Sequence, residues 1–494
     1  MIIFLIALAV SITVKPGLAG SATWAANPTS SDWNTAANWT PNTVPGIGDT
    51  ATFDTSAQNL VTVSSGTIIN RIVFTPAAEA YTITAAIEGM NIDLGITNSS
   101  GKTQSFTAIV DAAGNGTAFS FDRSANAGSL CTFTAAGNFI PQNGGSSVNL
   151  LDRASAGDCT YINLPGLAEG ALGGNTAFFT NATAASATIT SQGATVSGAG
   201  GGMTSFYNQS LAGSSTLIAS GGSNGGEGGL IQFEGGTNGE TARVQLFGNG
   251  TMDLSLHDSN TFSVGSIEGD GVIIVGISGL KVGTNNLSTT FSGLIEDDGF
   301  TSATLIKTGS GSLTLSGANT YSGGTTVNGG VLRVANKSGS ATGTGVVTVK
   351  TGTLGGKGVM AGVTTIGTGS GTRAFLEPSV GARQPATTTI QSLLTFKADG
   401  SYTYKLNTKK ARADEVVANG VTIESGAQFN FSAIGNKRLP LGSVFVALSN
   451  TSASPISGAF ANLADGSTLS AGKNKYQASY TGGDGNDLTL TVVP

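Results

Sequence analysis

Short β-rich segments recur in this chain at a nearly constant spacing, and that period restricts the fold more than any other feature. Segments opening with Cys131-Thr132-Phe133, Cys159-Thr160-Tyr161, Ala187-Thr188-Ile189, Ser215-Thr216-Leu217 and Ala242-Arg243-Val244 begin at intervals of 28, 28, 28 and 27 residues. In the three clearest copies a second short strand precedes the first, as in SVNLLDRASAGDCTY, TAFFTNATAASATI and TSFYNQSLAGSSTLI, with an Ala-Gly or Ala-Ala turn between them. A unit of this size cannot bury its inward face alone, whereas stacked units share a continuous core at an inter-strand step of ~4.8 Å. Helical periodicity is absent. The expected fold is therefore all-β: a right-handed parallel β-helix, or β-solenoid, closed by capping N-terminal and C-terminal β modules.

Composition agrees with that reading and removes its competitors. Of 494 residues 74 are Gly, and only 11% are charged, against a usual ~25%. Gly and Asn tolerate the positive φ that coil corners need, while Ser and Thr suit an outward pleated surface. Collagen is excluded by 12 Pro without a Gly-X-Y period, and a coiled coil by the scarcity of Glu, Lys and Arg. Disorder is excluded by 39% hydrophobic residues, a net charge of −6 and a mean hydropathy of +0.14. Charge is unevenly divided: residues through Phe300 carry 21 acids and 7 bases, and those beyond carry 8 and 16. Either this is drift between two polar surfaces, or opposite ends attract head to tail and build filaments.

Met1 to Val14 is almost wholly apolar, Lys15-Pro16-Gly17 breaks the run, and small residues follow. This reads as a secretory signal peptide over 1–19, although no Lys or Arg precedes the apolar core; an uncleaved anchor is the alternative. The stretch is too short for a membrane-spanning helix, no later segment qualifies, and no transmembrane segment is expected after cleavage. Cys131 and Cys159 occupy one slot in adjacent copies. Stacked Cα atoms ~4.8 Å apart permit a disulfide in an oxidising compartment, but the slot also holds Ala187, Ser215 and Ala242, so a buried thiol satisfies it equally.

From Leu305 to Val334 the chain reads LIKTGSGSLTLSGANTYSGGTTVNGGVLRV, with alternation at Leu313-Thr314-Leu315 and Val331-Leu332-Arg333-Val334 and Gly-rich turns between. This closely resembles the autotransporter-associated β-strand repeat, or passenger-associated transport repeat, of bacterial secreted and surface proteins. LKVGTNNLSTTFSGLI upstream and GTLGGKGVMAG downstream are similar to the coils flanking it in that family. The segment TWAANPTSSDWNTAANWTPNTVPGIGDTATF, holding all three tryptophans, resembles the family's N-terminal module, and the stretch from Gly458 its closing module. The division expected is a signal peptide (1–19), a Trp-rich cap (20–90), ~28-residue coils (91–300), the repeat with its following coil (301–362) and a C-terminal β module (363–494). The resemblance implies a structural or adhesive protein, secreted or at the cell surface. Pro494 follows the closing module directly, so the expectation is a family member lacking the C-terminal membrane barrel, freely secreted or held by a partner.

Chemical motifs are sparse. Trp24, Trp33 and Trp39 read either as a cap over the first coil or as an aromatic platform for sugar. Gly482-Gly483-Asp484-Gly485-Asn486-Asp487 fits six positions of a calcium-binding β-roll repeat, with Asp484 and Asp487 as ligands, but one copy with Thr489 at the apolar position reads better as a hairpin turn. The single histidine, His257, is expected to face solvent. Glu296-Asp297-Asp298 reads as a solvated loop, or as part of a polysaccharide-cleaving carboxylate pair if partners converge from other coils. Lys409-Lys410-Ala411-Arg412 is the one dense basic cluster; without interleaved aromatics it does not predict nucleic-acid binding. No catalytic residue, metal or cofactor is expected. The partners expected are an extracellular polysaccharide, a surface protein or further copies of the chain. A polysaccharide lyase or hydrolase on the same scaffold, and a self-assembling fibre subunit, are the alternatives.

Overall fold

The computed structural model describes residues 20–258, 261–371, 374–381 and 384–494. The signal-peptide reading lies outside the described residues. The chain divides into two compact units, one through Thr204 with Asn224–Gly226, the other comprising Ser205–Ser223 and Glu227–Pro494. Both are β-solenoids built from short parallel strands.

In the first unit each coil adds one strand to each of two parallel ladders. One runs through Thr50–Phe53, Thr67–Phe74, Met90–Asn98, Ala118–Phe121, Ser147–Leu150 and Asn175–Phe178. The other runs through Leu60–Val63, Thr82–Ala85, Gln104–Ala108, Ser129–Ala135, Asp158–Asn163 and Thr188–Ser191. Thr132 pairs with Thr160 and Thr160 with Thr188, so the register repeats the spacing read in the sequence. Alternation along each strand sends one residue in two to the core, and like residues then stack from coil to coil. Phe106 lies on Phe133 at 4.8 Å and Phe133 on Tyr161 at 5.0 Å, with planes tilted by 16° and 15°. At its N-terminal end, Trp39–Thr40 pairs antiparallel with Ala22–Trp24, which departs from the parallel ladder and covers its first strand.

In the second unit coil length varies: Thr216 pairs with Arg243 and Thr364 with Leu394, while the coils around residue 305 are short. Leu305 pairs with Thr325 and Leu313 with Leu332, a step of about 20 residues. The parallel strands Thr325–Val334 and Val347–Gly356 are each interrupted by glycines, so one long strand serves two straight segments of a coil. The unit ends in a sheet whose parallel strands, Val359–Met360, Thr387–Ile390, Glu415–Ala418 and Val444–Asn450, give way to the antiparallel strands Asp487–Val493, Asn474–Gly482 and Thr468–Ala471. A meander cannot continue a coil stack, so this sheet acts as a cap. No helix among the described residues is long and apolar enough to cross a membrane.

Candidate functional site

Where strands Ala118–Phe121, Ser147–Leu150 and Asn175–Phe178 end, the chain turns tightly, and the turns stack. Arg153 N donates to Arg123 O (2.7 Å), and Asn181 N to Asp152 O (2.8 Å). One residue of each turn holds a left-handed φ: Arg123 at 57°, Asp152 at 55° and Thr180 at 60°. For non-glycine residues, and a β-branched threonine above all, that conformation costs on the order of 1 kcal/mol.

Beside these turns lies an open groove of about 350 Å³ lined by Asn91, Asp93, Asp122, Arg123 and Asp152 together with the aliphatic Ile47 and Ile68. Ile92 pairs with Phe121, which sets the carboxylates of Asp93 and Asp122 on adjacent strands of the same outward face. Burial pushes the Asp122 carboxyl up, the charges of Asp93 and Asp152 push it further, and Arg123 opposes them. A second hollow of about 320 Å³ shares Arg123 and Asp152 and extends the surface to Arg153, Thr180 and Asn181. Carboxylates, amides and guanidinium groups beside exposed aliphatic side chains match the hydroxyls and C–H faces of a sugar. A carboxyl that holds its proton more tightly than an ordinary aspartate also suits proton transfer. Sequence reading missed this site. Its signal is the dipeptide Asp122-Arg123 recurring as Asp152-Arg153 one coil later, which only a register turns into neighbours.

The residues singled out in the sequence lie elsewhere. Trp24, Trp33 and Trp39 are at most 1% exposed, with Trp39 packed edge to face against Trp24, Trp33 and Phe53, so no indole face is open for a sugar to stack on. Cys131 and Cys159 are buried free thiols. Extending the Thr132–Thr160 register sets them side by side. The hydrogen bond it shares with Cys159, then burial and the charge of the neighbouring sulfur, push the Cys131 thiol far above its ordinary range. The Asp484 string forms the turn of the hairpin in which Gly482 pairs with Asp487, and Asp487 Oδ1 accepts from Asn450 N at 2.8 Å. Burial raises the Asp487 carboxyl. Among the described residues, no three His, Cys, Asp or Glu side chains are placed to hold a metal ion.

Two expectations are corrected. His257 is buried, not solvent-facing: a bridge to Gly235 draws it inward, its ring nitrogens lie 2.9 Å from Asp258 O and 2.8 Å from Thr237 O, and its edge meets Phe262. The Glu296-Asp297-Asp298 run is not a loose solvated loop. Asp297 ends a strand and accepts from Ala303 N and Ser322 Oγ, and Asp298 accepts from Phe300 N and Thr301 N, so both acids organise the turns they occupy.

The segment at 305–334 carries the most specific chemistry of the second unit. Alternation in Leu305–Lys307 turns Lys307 inward, where it is 1% exposed. Its ammonium donates to Thr308 O (2.5 Å) and lies 3.4 Å from Gly309 O and Gly329 O. Burial lowers its pKa to about 8. A Cβ on Gly330 would sit 2.9 Å from this nitrogen, and Gly330 has φ +62°, so glycine is required there on both counts. Asn319 joins three coils: its Oδ1 accepts from Ile295 N (2.9 Å) and its Nδ2 donates to Ala341 O (2.6 Å). Tyr321, fully buried, shares a 2.6 Å hydrogen bond with Thr325 Oγ1.

Residues 305–334 match the family model of the passenger-associated-transport-repeat. The match spans more than one coil, since Leu305 at its start already pairs with Thr325 inside it, and it lies within the parallel β-solenoid. No curated protein matches the chain.

Proposed function

We propose that this protein is a secreted, non-catalytic structural or adhesive β-solenoid that binds a polysaccharide or surface partner along its polar outer faces. The observation that supports this most directly is the passenger-associated-transport-repeat, which forms an integral part of the stack at 305–334. Ladders of Ser, Thr and Asn on a rigid scaffold offer repeated hydrogen-bonding groups at the coil spacing, which suits a polymeric ligand. Fractionation of producing cells tests the location: the protein is expected in the medium or on the outer surface, and recovery in the cytosol sinks the reading.

A second reading, a carbohydrate-active protein, is favoured by the convergence of Asp93, Asp122 and Asp152 from three coils. Sugar in this groove is compatible with either reading, and the two separate on turnover. Asp122→Asn is expected to weaken oligosaccharide binding on a glycan array by about tenfold, the scale of one charge-assisted hydrogen bond. Release of reducing ends or unsaturated products by wild type, abolished in Asp122→Asn, would establish the enzyme instead.

A further inference from the structure

Beyond the groove, the described surface of the second unit carries a concentrated positive patch. It is assembled from three turns of the C-terminal module. Asn407 and Ile434 end adjacent parallel strands, so the turn bearing Lys409, Lys410 and Arg412 and the loop bearing Lys437 and Arg438 leave the sheet side by side. Lys437 N donates to Thr408 Oγ1 at 3.1 Å, and Asn474 Nδ2 donates to Lys437 O at 3.0 Å, which brings in the hairpin turn with Lys473 and, just beyond it, Lys475. All of these cations are exposed, and among the described residues none is within ion-pair distance of a carboxylate. The acids of the same hairpin are remote. Asp465 is hydrogen-bonded to Tyr480 N and Asp484 lies beyond Gly482, five or more residues from Lys475, roughly 17 Å or further at the rise of a strand.

Unpaired like charges repel one another, so a fold that gathers them gains from a counter-charge supplied from outside. We propose that this patch is the docking surface for an acidic polysaccharide. Most of the cations are lysines, compact point charges that read charge density rather than the planar bidentate geometry arginine recognises. The rings beneath the patch, Tyr404 and Tyr476, are fully buried, so they offer no platform on which bases stack. A flexible polymer with a carboxylate or sulfate on each sugar satisfies cations spread over three turns. The inference rests on the adhesive reading and names the ligand class for one face of it.

The test uses the full chain with dextran sulfate, neutral dextran and duplex DNA as probes, measured by calorimetry at 50 and 300 mM salt. Dextran sulfate is expected to bind, to weaken steeply with salt, and to outcompete DNA of equal charge, while neutral dextran does not bind. The triple variant Lys409→Glu, Lys437→Glu, Lys473→Glu is expected to lose at least about tenfold in affinity with an unchanged melting temperature. A control with the same net charge, made at the exposed Lys337, Lys350 and Lys357, is expected to keep wild-type affinity. Equal loss in both variants, binding undiminished in the patch variant, or preference for DNA would overturn the proposal. So would salt-sensitive self-association abolished by the patch variant, which would make another copy the partner. Asp122→Asn leaves this patch intact, so failure of the groove and failure of the patch are read separately.

Discussion

At the scale of single residues, the most unusual group is Lys307, an inward lysine in a coil whose neighbours are apolar. Its alternation places it inside, and backbone carbonyls stand in for a counter-ion. A lysine with a folded pKa of about 8 and an unfolded value of ~10.4 binds less proton folded than unfolded between those limits, so stability rises with pH across that window. Below about pH 8 the cost of burying the charge is fully present. Lys307→Met lacks this linkage. Wild type is expected to gain about 3 kcal/mol on the variant between pH 7 and 10.5, seen in urea denaturation at each pH; a constant difference would refute the assignment. Cys131 and Cys159 supply a second test. Each is at most 3% exposed, so a bulky maleimide is expected to label neither in the folded protein. Two labels are expected after unfolding without reductant, as free thiols require, and none would mean an inter-coil bridge instead. The sequence supplied the shared slot of the two cysteines; it left open what fills the space between the thiols, because side-chain contact depends on packing across the ladder.

At the scale of the coil, register converts spacing into contact. The 28-residue period was legible because small residues and alternating strands repeat in the linear order, and Thr132, Thr160 and Thr188 stack as that period requires. The acidic groove was not legible in the same way. Asp122 and Asp152 sit just past the ends of strands in the other ladder and Asp93 within the strand before them, so turn geometry decides which side chains converge. Thr180 marks that geometry, since an exposed β-branched residue at φ 60° is strained. Thr180→Asn is expected to raise stability by about 1 kcal/mol in chemical denaturation. A loss instead would mean that the threonine makes a contact stronger than the strain it bears. His257 shows the opposite limit: a lone histidine among polar residues reads as surface, and only a bridge from the preceding coil draws it inward.

At the scale of the whole chain, charge and period are the two gradients. The acid-rich residues through Phe300 and the base-rich residues after them were visible by counting, but counting treats the sixteen downstream bases alike. Folding separates them. Lys307 is enclosed, Lys397 and Lys405 pair with Glu424 and Glu377, and those of the three C-terminal turns are left exposed together. The salt dependence of polyanion binding therefore reports on the folded arrangement rather than on net charge. An unfolded chain of the same composition has no such patch.

The sequence by itself determined the class of fold: many short strands, a repeat too small to be stable alone, glycine at the corners, and one segment specific enough to name its family of repeats. Local periodicity carries that information because alternation and turn chemistry act over a few residues. Only the tertiary structure decided which distant residues meet. Coil length sets that outcome, and it varies along the chain, from 28 residues between Thr160 and Thr188 to 20 between Leu305 and Thr325. A shift of a single residue in that spacing sends a side chain to the opposite face. The groove, the stacked thiols and the basic patch all depend on such phase, which no short stretch of sequence contains.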